Sequence, residues 1–170
     1  MKDKRPIVLG CRVDASIKDM ELVSRSLTDN PQVGRTIVIG MGTGFFSIMF
    51  STECFMRNKT VHYIDHEWKR DPRTVRLLER YGHIIRSGDP TDFMMRNELI
   101  ETYFAKIPYI VLNKFQAEMS EIFIEAIKSG RMRSGSVIAV LGGSPAFKGS
   151  FLFEQYKKEY WNSYDIYIVK

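Results

Sequence analysis

From Gly34 onward the chain alternates between two hydrophobic periods. Short apolar runs bounded by turn residues predict strands, and apolar residues at i, i+3, i+4 and i+7 predict helices. The predicted strands are Thr36–Gly40, Thr60–Asp65, His83–Ser87, Pro108–Asn113, Ser136–Leu141 and Tyr164–Val169. The predicted helices between them are Phe45–Arg57, Pro72–Tyr81, Thr91–Ala105, Glu118–Ser129 and Phe151–Trp161. Glu118–Ser129 has the cleanest helical stripe, with Met119, Ile122, Phe123, Ala126 and Ile127 on one face. Phe45–Arg57 is apolar almost all round, which predicts a buried helix. The first strand is apolar throughout, as a strand covered on both faces should be.

Ahead of this block, residues 6–13 read as a short strand or an extended arm. Ser16 followed by Asp19 marks a helix start with a cap and an acidic third residue. Ile17, Met20, Val23 and Leu27 form its apolar stripe, and Asn30-Pro31 ends it. The organisation expected is one domain, with an N-terminal arm and helix over 1–33 and a core over 34–170. Alternating β and α units predict an α/β fold, a Rossmann-like doubly wound, mostly parallel sheet of about six strands flanked by helices. Ligands of such sheets sit beyond the carboxyl ends of the strands. That gathers the loops after Ile39, Ile64, Arg86, Leu112 and Val140 at one rim.

Composition narrows the class. The chain has 170 residues, 44% of them hydrophobic, with 11 Phe, 8 Tyr and 9 Met, which suits one globular domain. No apolar run approaches the ~20 residues of a membrane span. Only Ile7-Val8-Leu9 follows the charged Met1–Pro6, too short for a signal peptide's apolar region. Cys11 and Cys54 are too far apart in sequence for a disulfide framework or zinc site, which fits a reducing compartment. The expected location is cytoplasmic. A net charge of +5 points to ordinary solubility or to a polyanionic partner, nucleic acid first. Lys2/Lys4/Arg5/Arg12, Lys69/Arg70/Arg73/Arg76 and Lys128/Arg131/Arg133 are the basic clusters.

The candidate chemistry centres on Gly40-Met41-Gly42-Thr43-Gly44, between the first strand and its helix. Glycines there permit backbone conformations closed to side chains and let a ligand lie against the main chain. A dinucleotide fingerprint needs G-x-G-x-x-G, and its third glycine would fall at Phe45. The G-x-G-x-G spacing instead resembles motif I of the class I S-adenosylmethionine (SAM) methyltransferases. Asp65 ends the second strand, 21 residues after Gly44, and matches the acidic motif II position of that family. The resemblance covers residues 34–170. It implies SAM as methyl donor, with Gly40, Met41, Gly42 and Gly44 against it and Asp65 on its ribose hydroxyls. His66, Gly88, Asp89 and Asn113 would flank it by position. With six predicted strands the chain would lack the family's usual seventh, leaving an exposed sheet edge. Residues 6–13 or a second subunit would then cover it, so a homodimer is expected.

The fourth strand ends Asn113-Lys114-Phe115-Gln116. This is neither the N-P-P-Y nor the D-P-P-Y run of amino-directed DNA methyltransferases. It also lacks the aspartate of K-D-K-E ribose methyltransferases, and no cysteine stands at the rim. An acceptor with its own lone pair needs no base, so positioning can carry catalysis and no catalytic side chain is assigned. Guanine N7 of an mRNA cap is such an acceptor and the specific expectation, and such a minimal enzyme looks like those of viral-type RNA capping. Phe115, Phe147 and Tyr109 are candidate stacking aromatics, and Lys114 and Lys148 candidate phosphate contacts. RNA or a capped RNA 5′ end is the expected partner. A small-molecule or protein methyltransferase and a non-catalytic nucleotide-binding or assembly module are the alternatives. His62 and His83 read as strand packing. His66 has no companion ligands, so no metal is expected.

Overall fold

The structure is a computed structural model that describes residues 7–8, 11–12, 17–40, 45–65, 72–89, 106–113, 117–157 and 163–170. The strands are β1 (Ile7–Val8), β2 (Cys11–Arg12), β3 (Arg35–Ile39), β4 (Val61–Asp65), β5 (Ile84–Ser87), β6 (Pro108–Leu112), β7 (Val137–Leu141), β8 (Phe153–Gln155) and β9 (Tyr164–Val169). The helices are α1 (Ile17–Asp29), α2 (Phe45–Met56), α3 (Pro72–Arg80) and α4 (Ala117–Lys128). The helix expected over 91–105 lies outside the described residues.

Seven strands form one sheet in the order β5-β4-β3-β6-β7-β9-β8. β5, β4, β3, β6 and β7 run parallel. β9 runs antiparallel to both β7 and β8. The chain steps outward from β3 to β4 and β5, then returns to β6 on the other side. That reversal makes the crevice between β3 and β6 the topological switch point, where open α/β sheets take their ligands.

Side-chain alternation sorts the core into two layers. Val38, Tyr63, Val111 and Ala139 face α1, α2 and α3, meeting Val23, Leu27, Phe50, Cys54 and Leu78. Ile37, Ile39, Ile64, Leu112 and Val140 face α4, meeting Met119, Phe123 and Ala126. Helix α1 thus belongs to the main core.

Two expectations are corrected. The sheet has seven strands, not six, because Phe153–Gln155 pairs with β9 instead of joining a helix. Phe153 fills a core slot beside Phe147 and Tyr167, while Phe151 is 79% exposed. The apolar spacing of Phe151 to Trp161 mimicked a helix, but what residues 153–155 obey is the cross-strand partner. Residues 7–8 and 11–12 pair with each other, not with the main sheet. With β8 in place, the missing-strand reason for a homodimer disappears.

The second correction concerns α2. Phe46, Phe50 and Cys54 are buried, but Met49, Phe55 and Met56 are exposed. A helix laid on one side of a sheet has an outer face whatever its composition. Among the described residues, no helix is long and apolar enough to cross a membrane.

Candidate functional site

The parallel register aligns one residue from each central strand at the carboxyl rim. Ile39 pairs with Ile64 on one side and Leu112 on the other. The next residues are therefore neighbours: Asp65, Gly40 and Asn113. Backbone bonds extend the row past the strands. Gly40 N–H donates to the Ile64 carbonyl at 2.9 Å, and Asn113 N–H to the Ile39 carbonyl at 2.9 Å. Gly88 N–H donates to the Asp65 carbonyl at 3.2 Å. Gly40 turns the chain at φ 87°, a left-handed conformation that favours glycine.

Asp65 is 1% exposed, buried at the strand end beside Gly40. Asp89, beyond β5, is exposed, and Gly88 half-buried. Asn113 is half-buried and committed at both ends of its amide. Its Nδ2 donates to the Gly40 carbonyl at 2.9 Å, and its Oδ1 accepts from the Tyr164 hydroxyl. An amide held this way is a structural bracket of the crevice and has no base chemistry. Met41, Gly42, Gly44, His66, Lys114 and Phe115 lie outside the described residues.

The expected acceptor platform is corrected at two aromatics. Phe147 is 1% exposed and packs against Phe123, Phe153 and Tyr167. Tyr109 sits near the start of β6, at the opposite end of the sheet, and is 0% exposed. Sequence proximity to a rim does not decide which way a ring points. Lys148 is exposed in the turns after β7.

The rim place of two residues had no signal in the local sequence. Because β9 is antiparallel, its first residue, Tyr164, lies opposite Leu141, the last residue of β7. A strand start thereby joins a rim otherwise made of strand ends. Asp19, in the first turn of α1, accepts from Ser163 N–H and anchors the segment entering β9. Gly142 N–H donates to the Ser163 carbonyl at 2.7 Å, closing the same corner.

The titratable groups away from the rim are quiet. Burial pushes the Cys54 thiol up to about 12, so it is not a nucleophile at neutral pH. His62 is pushed down to about 4 by burial, then by Arg35 and Arg86. His83 is also lowered, chiefly by burial. Its Nδ1 accepts from Val61 N–H at 3.0 Å, which leaves Nε2 to donate to the Ser51 carbonyl at 3.2 Å. Among the described residues no group of His, Cys, Asp and Glu is placed to hold a metal ion.

Comparison with known proteins gives the fold. No protein-family model matches the chain. No curated protein matches it in sequence. Solved structures do match. The O-methyltransferase TomG from Streptomyces achromogenes, in complex with SAM, superposes with a TM-score of 0.61 at 17% identity, over 93% of this chain and 82% of that one. The cofactor-bound protein Rv0187 from MTB gives a TM-score of 0.61 at 17% identity, over 98% and 84%. A Podospora anserina methyltransferase bound to S-adenosylhomocysteine (SAH) gives 0.60 at 10% identity, over 92% and 80%. The chain has the Rossmann-like fold of SAM-dependent methyltransferases.

Proposed function

We propose that the chain is a SAM-dependent methyltransferase. The observation that carries this is the row Asp65–Gly40–Asn113 at the switch point, with Asp65 at the end of the strand beside the glycine-rich turn. The neighbours solved with SAM or SAH bound support the same reading. SAM supplies an electrophilic methyl that moves by in-line displacement to a lone pair. Asp65 accepts hydrogen bonds from ribose hydroxyls, Gly40 lets the ligand approach the main chain, and Gly88 and Asp89 flank the base. Asn113 holds the turn.

For the acceptor, guanine N7 of capped RNA is the first reading. It rests on Asn113 standing where a general base would, since N7 needs no deprotonation. A second feature supports an RNA partner. Arg73, Arg76 and Arg80 follow one face of α3, all exposed and without an ion pair among the described residues. Such a cationic stripe suits a phosphate backbone. A small-molecule hydroxyl is the second reading, favoured by TomG, which is an O-methyltransferase.

Transfer of radiolabelled methyl from SAM to capped RNA, uncapped RNA, cap analogue, GTP and a panel of hydroxylated small molecules tests both. Label on capped RNA and cap analogue, with binding that weakens steeply between two salt concentrations, is the expected result. Label on small molecules alone selects the second reading. No heat on titration with SAM or SAH overturns the enzyme and leaves an assembly module.

A further inference from the structure

Gly40 follows β3 and Phe46 lies in the first turn of α2, and Tyr164 is linked to Gly40 through Asn113 and to Phe46 directly. Before the turn, the Gly40 carbonyl accepts from Asn113 Nδ2 at 2.9 Å, and Asn113 Oδ1 accepts from the Tyr164 hydroxyl. After the turn, Phe46 stacks on the Tyr164 ring, with centroids 5.4 Å apart and planes at 28°. Tyr164 is 1% exposed, so both contacts are made inside the protein.

We propose that Tyr164 is a positioning residue for the cofactor-binding turn, acting through the Asn113 amide on one side and through Phe46 on the other. This rests on the SAM reading above. The amide is the sensitive part. Its oxygen and nitrogen are nearly the same size, and only their hydrogen-bond partners decide which faces where. The Gly40 carbonyl can only accept and so claims the NH2 group, and the tyrosine hydroxyl, as donor, pins the oxygen at the other end. Without that hydroxyl, Asn113 Oδ1 loses its donor and the amide is held at one end only, by its bond to the Gly40 carbonyl, so it fixes Gly40 less firmly. A glycine has the widest backbone freedom of any residue, so a loosened Gly40 samples more conformations. A ligand that needs one of them then binds more weakly, by the population of the competent form.

The test is calorimetric titration of SAH into the full chain and three variants, with thermal unfolding of each followed separately. Tyr164→Phe keeps the ring against Phe46 and removes the donor. Asn113→Asp keeps an acceptor for Tyr164 and removes the donor to Gly40. Each is expected to lose about tenfold in SAH affinity, equal to ~1.4 kcal/mol. The double variant is expected to bind no worse than Asn113→Asp alone, because both changes cut one chain of contacts. Tyr109→Phe, at the far end of β6, is expected to lower the unfolding temperature and leave SAH affinity unchanged. Wild-type binding with an unchanged Tyr164→Phe overturns the proposal, as do losses that multiply in the double variant. No SAH binding by the wild type overturns the cofactor reading, and this proposal with it. Should Tyr164→Phe fail to fold, Asn113→Asp carries the comparison with Tyr109→Phe.

Discussion

At the floor of the sheet Tyr109 ties α1 to β6, and at the rim Tyr164 ties β9 to β6. Both are buried tyrosines whose hydroxyls meet polar groups of another element. The Tyr109 hydroxyl lies 2.5 Å from Ser26 Oγ and 3.0 Å from the Val23 carbonyl. Those partners belong to a closed helix that needs nothing more from them. The Tyr164 hydroxyl instead meets Asn113, a half-buried side chain whose other end holds the entrance to a turn. Similar chemistry therefore serves stability at one end and, on the proposal above, ligand geometry at the other. What separates them is what the next residue in the contact chain is free to do.

The largest break in this comparison comes from Asp65→Ala. At the rim it removes the carboxylate proposed to take ribose hydroxyls, each such charged bond being worth ~1.5–3 kcal/mol. SAM affinity is expected to fall about a hundredfold or more. An unchanged titration curve would remove Asp65 from the site. The next effect in size is the clamp itself, read as the tenfold loss for Tyr164→Phe.

A smaller effect belongs to the floor. Tyr109→Phe removes the hydroxyl that meets Ser26 Oγ and the Val23 carbonyl, which keep their bond to each other, and should cost about 1 kcal/mol of stability. Urea titration would show it as a lower midpoint at unchanged slope. A loss of SAH affinity of similar size in Tyr109→Phe would erase the distinction between rim and floor.

The effect expected to touch SAH affinity least is pH dependence, and it also belongs to the floor. His62 lies in β4 next to its first residue, and His83 receives the N–H of that residue, Val61. Both imidazoles have a folded pKa below the unfolded value, with His62 falling from 6.5 to about 4. The unfolded chain then binds more protons than the folded one across that window. This contribution to stability is complete above pH 6.5 and is lost as pH falls toward 4. Protonated His83 can no longer accept from Val61 N–H, which adds to the loss. Unfolding temperatures across this range should rise with pH, and His83→Gln should flatten the rise. SAH affinity per folded molecule should stay level over the same span. A parallel fall in affinity would tie the histidines to the rim after all.

Much of the parallel half was legible. Strands β3, β6 and β7 are apolar runs because helices cover them on both faces, so composition alone identified them. The glycine at position 40 and the acid at position 65 were found by spacing, and the register placed them side by side. At the antiparallel end the strand Tyr164–Val169 was legible, but its direction and the strand Phe153–Gln155 were not. Phe153 and Tyr164 take their places from partners across the sheet, and a one-dimensional pattern does not encode those partners. Legibility also failed for ring direction at Phe147 and for the outer face of α2, where apolar composition was read as burial.

The sequence by itself determined which segments are strands and helices through the core and where the chain turns on glycine. Periodicity and local conformational freedom are properties of neighbouring residues. Only the tertiary structure decided that a seventh strand closes the sheet, that Asn113 is a bracket, and that Tyr164 stands at the rim. Those facts depend on a strand running backward beside β7, and antiparallel pairing brings its first residue level with Leu141.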